Sequence, residues 1–164
     1  MKEIKLTQDK VAIVDDADFN FLNRFKWCVC RGKGNYYYAY RHKKMENGRQ
    51  LFVLMHKEIL NPPSEMETDH RDGNTLNNRR KNIRICTRTE NQRNRKPNRN
   101  SRSAFKGVCW YKQTNRWLSR IYLNGKAKHL GYFMTEEEAA FAYDMAAKKL
   151  FGEFARINFK GINL

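Results

Sequence analysis

One polar segment, residues 68–94, constrains this chain more than any other part of it. An acid and an imidazole, Asp69 and His70, stand side by side at the end of a short extended stretch, and an Asp-Gly-Asn loop follows them. These loop residues favour tight turns and left-handed backbone conformations, so we expect the chain to reverse direction there. Residues 83–86 then have the composition of a short strand. The segment is therefore predicted to form a small hairpin.

A polar helix is predicted directly after this hairpin. Thr87 and Glu90 have the spacing of a capping box, which places the helix start at Arg88 and Asn91 in the first turns. The predicted order is strand, loop, strand and helix. Four polar residues are expected to converge in it: Asp69, His70, Asn82 and Asn91.

The order and spacing of these residues resemble the HNH nuclease family, specifically the phage-type homing endonucleases whose third motif residue is Asn. The resemblance covers Asp69-His70, Asn82 within Asn-Ile-Arg, and Asn91 within Thr-Glu-Asn-Gln. It implies a ββα-metal motif in which Asp69 and Asn91 supply oxygen ligands to one divalent ion. It further implies that His70 is the general base and that Asn82 holds the loop through amide hydrogen bonds.

Phosphodiester hydrolysis accounts for these residue types. An imidazole can take a proton from water near neutral pH, and a metal ion relieves charge on the departing oxygen. One carboxylate, one amide oxygen, phosphate and water suit Mg²⁺, or Mn²⁺, better than Zn²⁺. The alternative is a polar hairpin whose amides only cap turns. The nuclease interpretation is preferred because four motif positions, a capping box and an arginine-rich setting coincide.

The charge of the chain indicates a polyanionic partner. Its formal net charge is +16 and its pI is about 9.9, and clustered Lys and Arg gain affinity by displacing counterions from phosphate. Double-stranded DNA is the expected partner. An anionic membrane is the weaker alternative, because no strongly amphipathic basic helix is evident. The basic residues expected to bind phosphate around the motif are Arg79, Arg80, Arg84, Arg88 and Arg93, and either Arg80 or Arg84 would orient the scissile phosphate.

The cysteines and the apolar runs limit the other possibilities. The four cysteines form no Cys-x-x-Cys pair, so no structural zinc is expected. The start of the chain does not resemble a signal peptide, and the longest apolar run, residues 51–55, is far too short to cross a bilayer. A cytoplasmic location in a bacterial or phage-infected cell is expected, with no small-molecule cofactor and the oligomeric state left open.

A β-rich lead-in is predicted before the motif, and the two together form a domain over residues 1–95. A short helix is predicted from the acidic run at residues 15–18 through Phe25, and Glu46-Asn47-Gly48 is a strong hairpin signal. Tyrosines 36, 38 and 40 are expected to pack in the sheet and His56 to be structural. The strands are predicted at 4–6, 11–14, 27–30, 36–41 and 49–55.

A basic linker over residues 96–103 leads to a second domain, 104–164. Its predicted strands cover 105–110, 116–123 and 126–133, with Asn124-Gly125 as a turn. Thr135 and Glu138 form a second capping-box spacing, and the alanine-rich helix that follows is expected to end at Gly152. The fold class is therefore α+β, with a three-stranded antiparallel sheet packed by one helix in this domain.

This second domain resembles the ethylene-response-factor (Apetala-type) DNA-binding domain. The matching stretches are 106–108, 117–121, 129–133, 137–147 and 154–159. The resemblance implies that the sheet enters the major groove of DNA. Strand alternation assigns Trp117, Ser119 and Ile121 to the helix side. The predicted DNA side carries Leu118, Arg120 and Tyr122, together with Lys106, Tyr111, Lys126 and His129.

The sequence thus predicts a site-directed, metal-dependent DNA endonuclease, and the family resemblance implies the homing type. The first alternative is a non-catalytic sequence-specific DNA-binding regulator whose HNH half is inactive. The second is an RNA-binding or ribosome-associated basic protein, which would prefer structured RNA to duplex DNA. Occupation of all four motif positions counts against an inactive HNH half.

Overall fold

A computed structural model describes residues 1–32, 36–97, 102–159 and 161 of the chain. The chain folds as two compact units, Met1–Asn91 and Gln92–Leu164. Both contain helices and antiparallel strands, which confirms the predicted α+β class. Part of the predicted basic linker, residues 98–101, lies outside the described residues. No helix within the described ranges is long and apolar enough to cross a membrane.

The first unit consists of three small antiparallel sheets, with strand orders β1-β2, β3-β4-β5 and β6-β7, and short helices between them. Its elements are β1 (Lys2–Lys5), β2 (Val11–Val14), α1 (Asp16–Leu22), β3 (Cys28–Arg31), β4 (Tyr37–Lys44), β5 (Gln50–Leu54), α2 (Met55–Leu60), β6 (Glu67–His70) and β7 (Ile83–Cys86). The helix α3 (Arg88–Arg93) begins in this unit, and its last two residues belong to the second unit. The helix α3 starts at the predicted residue, and the β4–β5 turn is the predicted hairpin.

An apolar core holds these sheets together. Alternate residues of β1 and β2 face inward and meet Trp27, which is 2% exposed, and Met55 from α2. Ile83 of β7 belongs to the same core and is 2% exposed. The β6–β7 hairpin is therefore anchored in the main core of this unit through one of its own strands.

Two details of α1 differ from the prediction. The helix ends at Leu22 instead of Phe25, because the Leu22 carbonyl accepts hydrogen bonds from the Trp27 indole and the Phe25 amide. Asp15 is the N-cap residue but makes no side-chain cap hydrogen bond. Its carboxylate accepts instead from the Arg80 backbone amide at 2.7 Å.

The second unit is a three-stranded antiparallel sheet covered by one long helix. Its elements are β8 (Val108–Tyr111), β9 (Arg116–Leu123), β10 (Lys126–Phe133) and α4 (Glu136–Phe151), followed by a 3₁₀ turn (Gly152–Phe154), and the sheet order is β10-β9-β8. The Thr135–Glu138 capping box is formed in both directions, as the spacing predicted. Small residues on α4, Ala139, Ala140 and Ala147, let the helix approach the sheet closely.

Two contacts define this helix-on-sheet packing. Gly107 has φ +80°, and a Cβ there would lie 1.9 Å from the Tyr143 ring, so no other residue fits without displacement. Asp144 is fully buried on α4 and accepts hydrogen bonds from the backbone amides of Asn158 and Phe159. This carboxylate ties the segment after the 3₁₀ turn to the helix.

Candidate active site and nucleic-acid interface

The β6–β7 hairpin fixes the relative placement of the motif residues. Its register pairs Asp69 with Arg84 and His70 with Ile83. His70 is the last residue of β6, directly after Asp69, and the Asp69 carboxylate is near enough for its charge to act on the pKa of the His70 imidazole. Both are buried, at 8% and 4% exposure.

Asp69 is half of a buried ion pair. Arg84 donates from Nη2 and Nε to Asp69 Oδ2, at 2.7 and 3.1 Å, and the two side chains are 9% and 6% exposed. Breaking such a pair is costly because it leaves a buried charge without compensation. Arg84, predicted as a phosphate-binding residue, thus already has a carboxylate partner, and a metal ion on Asp69 would share that carboxylate with it.

His70 is surrounded by aromatic and amide side chains. Its Nε2 is 3.4 Å from Asn78 Oδ1, and its ring lies 4.9 Å from the His56 ring and 6.4 Å from the Tyr38 ring, centroid to centroid. When Nε2 carries the proton and donates it to the Asn78 oxygen, Nδ1 is the basic ring nitrogen.

The pKa values of both histidines favour neutral rings. Burial lowers the pKa of His70, although the Asn78 hydrogen bond and the charges of Asp69 and Asp72 oppose this shift. Burial, followed by the neighbouring His70 and Lys57 charges, lowers the pKa of His56 to about 3. A neutral imidazole is the form that can accept a proton from water.

Asn82 ties the loop between β6 and β7 together. Its Oδ1 accepts from the Asp72 amide at 3.1 Å, and its Nδ2 donates to the Asn77 carbonyl at 2.7 Å. Its own carbonyl accepts from the Arg71 amide at 2.8 Å. The amide hydrogen bonds implied by the family resemblance are thus present, while a contribution of Asn82 to catalysis remains a prediction.

The same loop is also fixed to strand β2. The Ile13 amide donates to the Leu76 carbonyl at 2.9 Å, and the Ile13 carbonyl accepts from the Asn78 amide at 2.7 Å. Because Asn78 also contacts His70, the imidazole is linked through one residue to a strand of the main core. Asn77 and Asn78 are both buried here.

Asn91 is oriented by a residue that the sequence reasoning missed. Its Nδ2 donates to Glu67 Oε2 at 2.6 Å, which leaves the amide carbonyl oxygen to other partners. Glu67 precedes Asp69 by two residues on β6 and therefore shares its face. The i, i+2 spacing of Glu67 and Asp69 is the feature of the sequence that could have identified Glu67 as a neighbour of the site. The Thr87–Glu90 capping box that begins α3 is formed, with bonds of 2.8 and 3.2 Å.

The donor set fits a weakly held hard cation. Asp69 and Asn91 offer a carboxylate and an amide oxygen, the ligand types that Mg²⁺ and Mn²⁺ accept. Among the described residues, no group of three or more His, Cys, Asp or Glu side chains could hold a metal ion. An ion bound here would need phosphate oxygens and water to complete its shell, so the residues fit a metal that is recruited with substrate.

The predicted phosphate-binding arginines have different surroundings. Arg79 donates to Asn77 Oδ1 at 2.8 Å, and Arg80 makes two bonds to Asp18, at 2.7 and 2.9 Å. Arg88 is exposed at the start of α3. In the second unit, Arg93 lies over the Phe151 ring at 4.4 Å. Arg88 thus lies open to solvent beside the motif, and the role of all these arginines stays a prediction.

The open face of the second unit carries most of the predicted DNA-side residues. Arg120, Tyr122, Lys126 and His129 are exposed, Tyr122 at 57%. Tyr132, which was not predicted on this face, is 42% exposed, and its ring lies 4.7 Å from that of His129. This face therefore presents a cluster of aromatic and basic groups.

Leu118 is an exception to the predicted DNA side. It is only 9% exposed, because its cross-strand neighbours, Cys109 and Tyr132, flank it on either side. Leu118 is therefore largely covered within the face that was predicted to bind DNA.

Lys106 and Tyr111 are engaged within the second unit. The Lys106 ammonium donates to the carbonyls of Arg93 and Arg95, and burial, with a smaller effect of nearby arginines, lowers its pKa to about 8. The Tyr111 hydroxyl donates to Gln113, and the ring lies 5.3 Å from the Tyr132 ring. Lys106 therefore contributes to the fold, and a DNA contact by it has no support from this geometry.

Two family models match separate parts of the chain. The model described as HNH endonuclease covers residues 61–93, and the one described as AP2 domain covers residues 103–153. An uncharacterized HNH endonuclease of Acanthamoeba polyphaga mimivirus is 32% identical over 147 residues, 90% of this chain and 74% of that protein. The chain belongs to the HNH endonuclease family.

Other relatives match only one part of the chain well. Protein 3.8 of Escherichia phage T7 is 32% identical over 94 residues, 57% of this chain and 77% of the phage protein. The AP2-like ethylene-responsive transcription factor TOE2 of Arabidopsis thaliana is 44% identical over 68 residues, 42% of this chain and 14% of the plant protein. The two families predicted from the residues are thereby confirmed, and the AP2 match covers only a small part of the plant relative.

Proposed function

We propose that this protein is a metal-dependent DNA endonuclease that hydrolyses phosphodiester bonds at a site selected by its C-terminal sheet. The observation that carries the proposal is one hairpin followed by one helix, with Asp69 and His70 at the end of β6 and the Asn91 amide of α3 bonded to Glu67 of the same strand. Membership of the HNH endonuclease family supports it.

In this proposal, His70 removes the proton from the attacking water through Nδ1. The Asn78 contact fixes the ring, and Asn82 holds the loop that supplies Asn78. Asp69 and Asn91 would hold Mg²⁺ or Mn²⁺, and Glu67 keeps the Asn91 amide in the orientation that offers its oxygen. The bound ion would stabilise the charge that develops on the departing oxygen.

Basic side chains would position the DNA around this site. Arg88 is exposed next to the motif, whereas Arg80 and Arg84 would have to exchange or share their carboxylate partners to bind phosphate. Phosphate contacts of this kind fix register without reading sequence. We therefore propose Arg88 as a backbone contact near the cut and leave the choice between Arg80 and Arg84 for the scissile phosphate open.

The second unit would select the site on double-stranded DNA. Its exposed sheet face presents a guanidinium, an ammonium, an imidazole and a phenol within two neighbouring strands, through Arg120, Lys126, His129 and Tyr122. These groups can donate to base edges and phosphates in a major groove. The AP2-domain match supports this assignment, and the side chains of this chain would decide which sequence is read.

A homing-type role in a bacterial or phage-infected cell is part of the same proposal. It is supported by similarity to a phage protein and to a protein of a giant virus. One catalytic unit cuts one strand at a time, so a monomer would nick and a double-strand break would require two chains or two events. The mechanism requires no small-molecule cofactor.

The test is the nicking of supercoiled plasmid DNA with Mg²⁺, with Mn²⁺ and with excess chelator. The proposal expects open-circle product only with metal, and mapped nicks that share a sequence. A protein that binds duplex DNA but leaves the plasmid intact with either metal would contradict it.

The second candidate function is a DNA-binding regulator with an inactive HNH half. The buried Asp69–Arg84 ion pair favours it, because this pair places a competing cation on a predicted metal ligand. The plasmid assay separates the two functions directly. In addition, an Arg84→Gln variant should lose the metal-dependent cleavage seen with wild type if the ion pair positions Asp69 for the ion. If the site is inactive, wild type and the variant should both leave the plasmid uncut.

A further inference from the structure

The outer part of the β4–β5 hairpin, residues 42–52, is an arm that extends from the core of the first unit; we name it the ribbon. Every residue from His42 through Phe52 is exposed. The base of the ribbon is rigid, because Arg41 is 7% exposed, pairs with Glu58 at 2.5 Å and lies 3.9 Å over the Phe25 ring. The ribbon is thus an exposed two-stranded arm on a fixed support.

The ribbon combines cations with exposed apolar surface. Its basic residues are Lys43, Lys44 and Arg49, with one acid, Glu46, in the turn. Leu51 and Phe52 are 49% and 50% exposed. Nucleic acid offers phosphates to these cations and sugar and base surfaces to the apolar groups.

An aromatic platform covers one face of the ribbon. The register pairs His42 with Phe52. The Phe52 ring stacks on Tyr40, with centroids 4.5 Å apart and an interplanar angle of 21°, and His42 meets both rings edge-on. The stack preorders these side chains, which lowers the entropy lost when a ligand binds against them.

The same face leads directly to the candidate active site. Tyr38, Tyr40, His42 and Lys44 alternate along β4, so they share one face. Tyr38 lies 6.4 Å from the His70 ring, and His56, directly after β5 and Met55, lies 4.9 Å from it. From its base at Arg41 to Met45 in the turn, the ribbon extends roughly 13 Å at about 3.3 Å per residue, which is the length of about four base pairs.

We infer that the ribbon is a DNA contact separate from the C-terminal sheet, and that it lies in the groove beside the scissile phosphate. A two-stranded β-ribbon fits the width of the major groove of DNA. The cations Lys43, Lys44 and Arg49 bind phosphates, while Phe52 contacts sugars or bases. The position beside the cut rests on the proposed function, whereas the contact with duplex DNA does not.

The test compares two full-length triple variants that carry the same charge. The ribbon variant is Lys43→Gln, Lys44→Gln and Arg49→Gln. Its matched control removes three exposed cations elsewhere in the first unit, Lys5→Gln, Arg24→Gln and Lys26→Gln. Binding to a random-sequence duplex is measured without divalent metal over a range of salt concentrations, so cleavage plays no part in the result.

The ribbon variant should bind at least roughly ten-fold more weakly than wild type, with a log–log salt slope shallower by about 2 to 3, or about one for each lost phosphate contact. The control should change the slope by less than about 1. An unchanged slope in the ribbon variant, or an equal loss in the control, overturns the inference. A variant that loses affinity for structured RNA but keeps that for duplex DNA overturns it as well.

Hydroxyl-radical footprinting on a duplex with a mapped nick tests the position. Protection next to the nick should shrink by about four base pairs in the ribbon variant and stay unchanged in the control. A footprint that shrinks only away from the nick overturns the placement. If wild-type protein never nicks but the slope difference is found, the DNA contact stands and the nuclease proposal fails.

Discussion

The two units of this protein position their functional groups by different means. In the first, the candidate site depends on a buried ion pair, amide hydrogen bonds and a loop tied to β2. In the second, an apolar helix–sheet interface supports an open face on which four predicted DNA-side residues, Arg120, Tyr122, Lys126 and His129, are exposed. Chemistry on a small hairpin therefore requires a polar network to hold each atom, whereas a recognition surface requires only a rigid base.

The largest effect is expected from His70→Ala. Loss of the general base should reduce nicking about 10² to 10⁴-fold and leave DNA affinity nearly unchanged. The measurement is single-turnover plasmid cleavage with saturating Mg²⁺. Lys26→Ala is the control, because that side chain is exposed in the first unit and belongs neither to the candidate site nor to the ribbon. Equal cleavage by His70→Ala and wild type would show that the base is assigned wrongly.

Gly107→Ala should destabilise the second unit and leave the stability of the first unchanged. A Cβ would lie 1.9 Å from the Tyr143 ring at a φ of +80°, so we expect a loss of about 3 kcal/mol in the free energy of unfolding from overlap and backbone strain. Calorimetry should show a lower Tm for the unfolding of residues 92–164.

The matched control for this substitution is Gly125→Ala. Its φ is +76°, but nothing lies within 4 Å of the added Cβ, so only backbone strain of about 1 kcal/mol applies. Similar losses for the two variants would mean that the close approach of Gly107 to Tyr143 contributes little to stability.

The stability of the first unit should depend on pH through His56. Its folded pKa of about 3 lies below the usual 6.5, so the unfolded chain binds more protons between these values and stability falls as pH drops from 6.5 toward 3. We expect His56→Gln to weaken this dependence by about 2 kcal/mol. Denaturant titrations of wild type and His56→Gln at pH 7 and pH 4.5 give the change in the free energy of unfolding between these pH values. Equal changes in the two proteins would contradict the assignment to His56.

The smallest effect concerns Glu67. Removing the acceptor with Glu67→Ala should free the Asn91 amide and weaken Mn²⁺ binding to the protein–DNA complex about ten-fold, as expected for a residue that orients a ligand. Glu67→Gln keeps an acceptor oxygen and should recover much of this affinity. Electron paramagnetic resonance measures the concentration of free Mn²⁺ and so gives the affinity without a cleavage assay. Equal affinities for the Ala variant and wild type would remove Glu67 from the site.

Local signals in the sequence predicted much of the secondary structure. Both capping boxes form where Thr87 and Thr135 predict them, and two strands of the second unit have the predicted bounds, Arg116–Leu123 and Lys126–Phe133. These features depend on residues close together in the chain. Propensity and spacing are sufficient for them.

Contacts across the hairpins could not be predicted in the same way. The Asp69–Arg84 pair requires the register of β6 against β7, and the carbonyl partners of Lys106 depend on how a backbone more than ten residues away is folded. The burial of Leu118 is due to its neighbours on two adjacent strands. The candidate residues were identified from the sequence, whereas their partners required the fold.

The Arg84 guanidinium beside Asp69 has a consequence for the order of events. While this guanidinium pairs with the carboxylate, it reduces the electrostatic attraction that Asp69 would exert on a divalent ion. A DNA phosphate is a rival acceptor for the same guanidinium, and its arrival would return negative charge to the pocket. Loading of the ion would then wait for the nucleic acid, so a divalent ion would join the site only in the complex with DNA.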